Sequence, residues 1–177
     1  LALYRCSAFH KWARPYPFRR RDVIPQPVIP KEPMSKTRLR LWLKLLKTSS
    51  RIEAKLRRRF RDEYATTLPR FDVMAALSRF PDGLKMSDLS DLLRVSNGNV
   101  TGIVDRLTND GHALRVAVPS DRRAQLARLT PKGQTAFAKL AQAHEAWLDE
   151  FFKGLDVDDA TALHVLLGKT EGEIDAH

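Results

Sequence analysis

Residues 96–107 read SNGNVTGIVDRL, and most of the fold prediction follows from them. Their apolar side chains stand at positions 100, 103, 104 and 107, which is the spacing of one helical face. Ser96 precedes this helix as a favourable N-cap residue, and Gly111 is suited to end it. A shorter helix is predicted just upstream, over Asp88–Leu93, with Ser87 as its N-cap. Two short helices joined by a tight linker are typical of a helix-turn-helix.

Two strand-like segments come directly after this pair of helices. They are Leu114–Val118 and Gln125–Leu129, and the polar segment PSDRRA at residues 119–124 separates them as a turn. The pattern predicts a β-hairpin with a basic tip. A helix-turn-helix followed by a basic hairpin is typical of the winged-helix arrangement, in which one helix enters the major groove and the hairpin contacts the backbone or the minor groove.

Longer helices are predicted on both sides of this region. Apolar residues recur at helical steps from Thr37 to about Tyr64, and Pro69 can open a second helix. Thr130 is a favourable N-cap for a long helix that begins at the next residue. Asp156 can cap a last helix over Val157–Leu167. Such long helices resemble a dimerisation frame more than an active site.

The predicted fold class is therefore mainly α with a small β-hairpin wing: a winged helix-turn-helix dimerised through N- and C-terminal helices. We divide the chain into a basic, proline-rich arm (1–35), an N-terminal dimerisation helix (36–68), a winged helix-turn-helix DNA-binding region (69–130) and C-terminal dimerisation helices (131–177).

The distribution of charge indicates the class of partner that the protein binds. The chain of 177 residues has a net charge of +10, and residues 34–70 alone carry twelve basic and three acidic residues. A basic half favours a polyanionic partner such as nucleic acid, although a soluble surface that is simply basic explains the charge equally well. No apolar run reaches the 18 residues of a membrane span.

Several classes of site have no support in the sequence. The single cysteine excludes a disulfide framework and a cysteine-rich zinc site, and the histidines show no metal-ligand spacing, so we expect no cofactor and no metal. One cysteine is compatible with a reducing, cytoplasmic location. No glycine-rich phosphate loop or nucleophile elbow is present, so we do not expect an enzyme.

The first 33 residues hold six of the ten prolines and are predicted to be an extended or disordered arm. The first methionine is Met34, at the start of the first periodic segment. One hypothesis is that Met34 is the biological start and that residues 1–33 are upstream mis-translation. The alternative is a DNA-contacting arm that carries the arginines at positions 19–21.

Four segments together resemble the MarR (multiple antibiotic resistance regulator) family of transcription factors. They are SNGNVTGIVDRL (96–107), DG (110–111), DRR (121–123) and LTPKG (129–133), and the resemblance covers roughly residues 36–170. It implies a winged helix-turn-helix homodimer that binds pseudo-palindromic operator DNA, often as a repressor released by a small ligand. The sequence departs from the family pattern at Gly98 and Gly102. Fewer side chains are then left to contact bases, so the resemblance does not indicate the operator sequence.

The resemblance also implies roles for individual residues. The helix that starts near Asn97 enters the major groove, Arg123 reaches the minor groove and Asp121 braces the wing. The candidate DNA-binding residues are polar or basic and lie in this helix and the wing: Ser96, Asn97, Asn99, Thr101, Arg106, Arg122 and Arg123.

Each candidate DNA contact has a simpler explanation as well. An asparagine amide can pair with adenine in two places, but Asn97 can equally be only a turn residue. Arg106 either reaches a phosphate or pairs with Asp105 or another neighbouring acid. The wing arginines either enter an A·T-rich minor groove, remain solvated or form an ion pair with Asp121. The basic run over residues 55–61 either follows phosphates or is a solvated helix face.

Aromatic residues suggest a candidate cleft for a small aromatic effector between the dimer frame and the DNA-binding region: Trp42, Phe71, Phe137 and Trp147. Ordinary core packing is the alternative for each of them. The sequence thus favours a dimeric, sequence-specific DNA-binding regulator. A non-sequence-specific nucleic-acid-binding protein and a winged-helix adaptor that binds proteins are the competing functions.

Overall fold

The computed structural model describes residues 33–118 and 121–175, and side chains over 33–117 and 125–174. The predictions made for residues 1–32 lie outside the described residues. The described residues divide into two compact units, one ending at Phe137 and the other beginning at Ala138. No helix in the described part is both long enough and apolar enough to cross a membrane.

The described residues form six helices and three short strands. In chain order they are α1 (Met34–Tyr64), α2 (Leu68–Ser78), β1 (Leu84–Lys85), α3 (Met86–Leu93), α4 (Asn97–Asn109), β2 (Ala113–Val118), β3 (Asp121–Leu129), α5 (Pro131–Phe152) and α6 (Val157–Asp175). A mainly helical fold with a small antiparallel hairpin confirms the predicted fold class, whereas dimerisation through the terminal helices stays a prediction.

Local capping signals account for most helix starts. Ser96 accepts the Asn99 N–H at the start of α4, Thr130 accepts the Gly133 N–H at 3.0 Å in α5, and Asp156 accepts the Asp159 N–H at 2.8 Å in α6. The predicted cap at Ser87 is wrong. Helix α3 begins at Met86 after Lys85, and the Ser87 hydroxyl donates to Asp88 instead.

The sheet differs from the prediction in two ways. It has three antiparallel strands in the order β1–β3–β2, whereas the sequence predicts only the hairpin. The predicted turn over residues 119–124 is also too long, because Val118 pairs with Asp121 while Ala117 pairs with Gln125. Three residues of β3 therefore lie between these two pairs without a paired residue in β2, which makes the ladder irregular. Side-chain polarity indicates exposure to solvent, but it does not decide whether the backbone pairs.

The two-residue strand β1 lies where the chain turns after α2. Gly83 has φ +103°, and its N–H donates to the Phe80 carbonyl at 2.9 Å. A side chain at Gly83 would meet the Ala127 backbone oxygen at 3.1 Å, so glycine satisfies both the backbone angle and the close approach to β3.

The core of the first unit joins the second half of α1 to the helix-turn-helix. Its largest fully buried side chains come from α1 to α4: Phe60, Met74, Leu77, Leu89, Leu107, Val73, Val100 and Val104. The Phe60 and Phe71 rings stack with their centroids 4.8 Å apart. This packing supports the helix that the sequence singles out for DNA recognition.

Candidate nucleic-acid interface

The turn that leads into α4 is fixed by hydrogen bonds. The Ser90 hydroxyl donates to the Val95 carbonyl at 2.6 Å, and the Val95 N–H donates to the Ser90 carbonyl at 3.2 Å. Arg94 ends α3 in the left-handed conformation with φ +52°. Because no glycine stands at this position, no local signal in the sequence predicts that conformation.

Helix α4 has one buried face and one polar face. Val100, Ile103, Val104 and Leu107 are buried, as their spacing predicts. The recognition residues proposed from the sequence lie outside this buried set: Ser96, Asn97, Asn99 and Arg106 are exposed and Thr101 is half-buried. A Cβ added at Gly98 or Gly102 would meet no atom within 4 Å, so neither glycine is required by packing.

An ion pair joins α4 to the hairpin. Arg115 of β2 places Nη2 at 2.6 Å from the Asp105 carboxylate, and its Nη1 donates to Gln125 of β3 at 2.9 Å. Asp105 therefore pairs with Arg115, and among the described residues Arg106 forms no ion pair. The sequence does not single out Arg115. The one signal that points to it is its charge, because it is a charged residue inside a predicted strand.

The C-terminal end of α4 is held by residues from two other helices. The Arg70 guanidinium of α2 pairs with the Asp110 carboxylate, and the Lys132 ammonium of α5 donates to the Asp110 carbonyl at 2.8 Å. The hydrogen bond from Arg70 and the charge of Arg70 lower the pKa of Asp110. The Asp110 side chain thus stays ionised and keeps α4 attached to α2.

The LTPKG segment completes this attachment. The Thr130 hydroxyl donates to the Gly111 carbonyl at 2.7 Å, and the Thr130 N–H donates to the His112 carbonyl at 3.0 Å. A Cβ at Gly133 would collide with the His112 carbonyl oxygen. Glycine therefore allows α5 to begin in direct contact with the end of α4, which explains Thr130 and Gly133 of this segment in physical terms.

The wing is defined at its backbone. Asp121, Arg122 and Arg123 belong to β3 and not to a loop, which corrects their predicted place at a turn tip. Their side chains lie outside the described residues, so the predicted roles of Arg122 and Arg123 in DNA binding and of Asp121 in bracing stay predictions.

The candidate effector residues differ from one another in environment. The Phe71 ring stacks on Phe137 with centroids 5.7 Å apart, and Phe71 is buried in the core. Trp42 is 58% exposed and Trp147 is 6% exposed, and Trp147 belongs to the second unit. The structure thus brings Phe71 and Phe137 together.

Two further titratable groups in the described part have shifted pKa values. Burial raises the pKa of Asp72, beside Phe71, to about 7, and the positive charge of Arg57 offsets part of this rise. Burial lowers the pKa of His144 in α5. Within the described residues, no group of three or more His, Cys, Asp or Glu side chains is arranged to hold a metal ion.

Comparison with known proteins agrees with this geometry. A model of the MarR family matches residues 66–124. The transcriptional activatory protein BadR of Rhodopseudomonas palustris is 35% identical over 105 residues, which cover 57% of this chain and 60% of BadR. The chain spans about half to two thirds of the length of the curated relatives it matches.

Solved structures give a longer match. A MarR family transcriptional regulator from Silicibacter pomeroyi is 33% identical with a TM-score of 0.69, and the alignment covers 81% of this chain and 99% of that one. A mutant of Escherichia coli MarR complexed with operator DNA is 22% identical with a TM-score of 0.66, covering 78% of this chain and 99% of that one. The second likeness concerns the fold alone.

Proposed function

Because this chain belongs to the MarR family of transcriptional regulators, we propose that it binds a pseudo-palindromic DNA operator as a homodimer and acts as a ligand-responsive repressor. BadR is named a transcriptional activatory protein, and the Silicibacter pomeroyi protein is a MarR family transcriptional regulator. The E. coli neighbour, with the same fold, is complexed with operator DNA.

The observation that carries the proposal is the polar face of α4, which is held at its middle and at its C-terminal end. Asn97 and Asn99 are exposed at its start, where their amides can pair with base edges. Arg115 ties the middle of the helix to the hairpin, and Asp110 ties its end to α2. A helix fixed in this way beside a hairpin presents two elements to the DNA grooves at a set angle.

Exposed apolar residues support a homodimer. The first half of α1 exposes Leu39, Leu41, Trp42, Leu43 and Leu46, and α6 exposes Val157, Leu163, Val165, Leu166, Leu167 and Ile174. Apolar surface of this extent on two helices is typical of an interaction site. A second copy of the chain is the partner that a pseudo-palindromic operator requires, because each half-site needs one recognition helix.

Regulation by a small aromatic ligand rests on the aromatic stack of Phe60, Phe71 and Phe137. We propose that a ligand bound beside this stack changes the angle between α1 and α2, since Phe60 lies in α1 and Phe71 in α2. Activation of transcription is the alternative to repression, because the relative that is 35% identical is named a transcriptional activatory protein.

Selection from random duplex oligonucleotides with the purified protein tests the proposal. We expect an enriched inverted repeat whose half-sites lie about 10 bp apart. Sedimentation of the same preparation should give a dimer, and Trp42→Asp should give monomers that lose the selected sequence. A protein that enriches no sequence is a non-specific binder or an adaptor. The two glycines on α4, which offer no side chain to a base, favour the adaptor.

A further inference from the structure

Helix α1 carries a stripe of basic residues that the operator-binding surface does not use. We define this basic stripe by its six members: Arg40, Lys44, Lys47, Arg51, Lys55 and Arg58. They recur at steps of three and four residues, so at the helical period they fall within an arc of about 80°. All six are exposed, and the stripe is about 27 Å long at the rise of an α-helix.

The basic stripe lies on the side of α1 that faces neither the core nor the exposed Trp42. Leu56 and Phe60 are the buried residues of α1, and Phe60 stacks on α2. The helical period places both of them on the opposite side of α1 from the stripe, as it does Trp42. The stripe therefore stays accessible in a homodimer formed through the apolar face.

Four of the six members of the stripe have no ion-pair partner among the described residues. Over the described residues, Lys44, Lys47, Arg51 and Arg58 form no ion pair, whereas their neighbour Arg57, outside the stripe, pairs with Glu53 at 2.5 Å. No acidic residue falls within the arc between residues 40 and 58. Like charges at these spacings repel one another, so the arrangement is costly to the free protein and is relieved by a polyanion.

The composition of the stripe favours a phosphate backbone as that polyanion. No large apolar or aromatic side chain lies in the arc, whereas protein interfaces are depleted in lysine and have an apolar centre. A duplex segment as long as the stripe carries about 16 phosphate charges. We propose that the basic stripe of α1 is a second DNA-binding surface, independent of sequence, that holds duplex outside the operator contacted by α4.

The test compares two variants with equal loss of charge. The stripe variant is K44Q/K47Q/R51Q/R58Q, which leaves Arg40 and Lys55 unchanged because they have contacts within the chain. The control variant is R79Q/K139Q/K153Q/K169Q, which removes four exposed charges elsewhere. Circular dichroism and sedimentation establish that both variants keep the fold and the oligomeric state of the unmodified protein. Affinity for a random-sequence 40-bp duplex is then measured from 50 to 200 mM salt.

We expect the stripe variant to bind the random duplex at least about tenfold more weakly than the control variant at 50 mM salt. The slope of log affinity against log salt should become shallower by about 0.9 for each phosphate that the variant no longer neutralises. Equal losses of affinity in the two variants would show that only net charge matters and would overturn the proposal. So would an unchanged affinity for duplex combined with abolished binding to poly-glutamate, which indicates an acidic protein partner.

The random-duplex titration and the selection from random oligonucleotides together separate this proposal from the proposed operator binding. If the protein enriches no sequence, the operator proposal is wrong, and affinity for the random duplex still tests the basic stripe. If the protein prefers an inverted repeat but both variants show equal slopes, the operator proposal holds and the proposal for the basic stripe is wrong.

Discussion

Arg115 in β2 and Asp105 in α4 form an ion pair at 2.6 Å that joins the wing hairpin to the polar face of α4. Both partners are partly exposed, so the pair contributes little to stability. Its consequence is geometric, because Arg115 also donates to Gln125 in β3. One guanidinium thus sets the position of both wing strands relative to α4.

We predict that Asp105→Asn weakens operator binding about fivefold to tenfold. Removing an acid from the proposed DNA-binding surface would by charge alone strengthen binding. A weaker affinity therefore indicates loss of the ion pair, and a stronger one indicates the effect of charge. Arg115→Met should weaken binding at least as much. The double variant should be no weaker than Arg115→Met, because both changes break one pair. Affinities from fluorescence anisotropy check this, and strictly additive losses would show that each residue acts independently.

Arg123→Ala is expected to weaken operator binding at least about tenfold without lowering the melting temperature. The reason is the resemblance, which implies that this arginine enters a minor groove where the negative potential is concentrated. Arg128→Ala is the matched control, since Arg128 is an exposed arginine of the same strand, farther from the hairpin turn. A mobility-shift titration measures both, and equal effects would remove Arg123 from the interface.

Gly133→Ala should destabilise the protein by about 1–3 kcal/mol, because the new Cβ overlaps the His112 carbonyl oxygen and forces α5 away from the end of α4. Gly102→Ala is the matched control. It lies in the described helix α4 with open space around it, so it should stabilise by about 0.5–1 kcal/mol. Urea unfolding gives both values, and a neutral Gly133→Ala would contradict the close approach of α5 to the His112 carbonyl.

The stability of the protein should depend on the ionisation of Asp72. Burial raises its folded-state pKa from 3.8 to about 7, so the folded protein holds a proton that the unfolded chain has released between those values. The stabilising contribution is therefore complete below about pH 4 and is lost as the pH rises through about 7. Chemical unfolding of Asp72→Asn at pH 5 and pH 8 should show a smaller fall in stability than the unmodified protein.

The control for that measurement is Asp149→Asn, which changes an exposed carboxylate of α5. Its stability difference between pH 5 and pH 8 should equal that of the unmodified protein. An Asp72→Asn variant with the same difference as this control would show that Asp72 titrates alike in the folded and unfolded states.

The parts of the fold that depend on local signals could be predicted from the sequence, and the parts that depend on distant partners could not. The caps at Ser96 and Thr130 and the buried face of α4 follow from neighbours within four residues. The pairing of Arg70 with Asp110 joins residues 40 positions apart, and β1 is too short for any periodicity. Tertiary packing alone creates these contacts.

Asn99→Ala should change which base is preferred more than it changes overall affinity. The Asn99 side chain is exposed at the start of α4, so its amide is available for an adenine edge. Losing a two-point contact of this kind costs about 1–3 kcal/mol of discrimination at one symmetric position of the operator.

Asn109→Ala, at the other end of the helix, is the control. Selection with each variant checks this, since affinity for random duplex should stay unchanged while only Asn99→Ala loses the base preference at one position. A uniform loss of affinity across all sequences would instead make Asn99 a backbone contact.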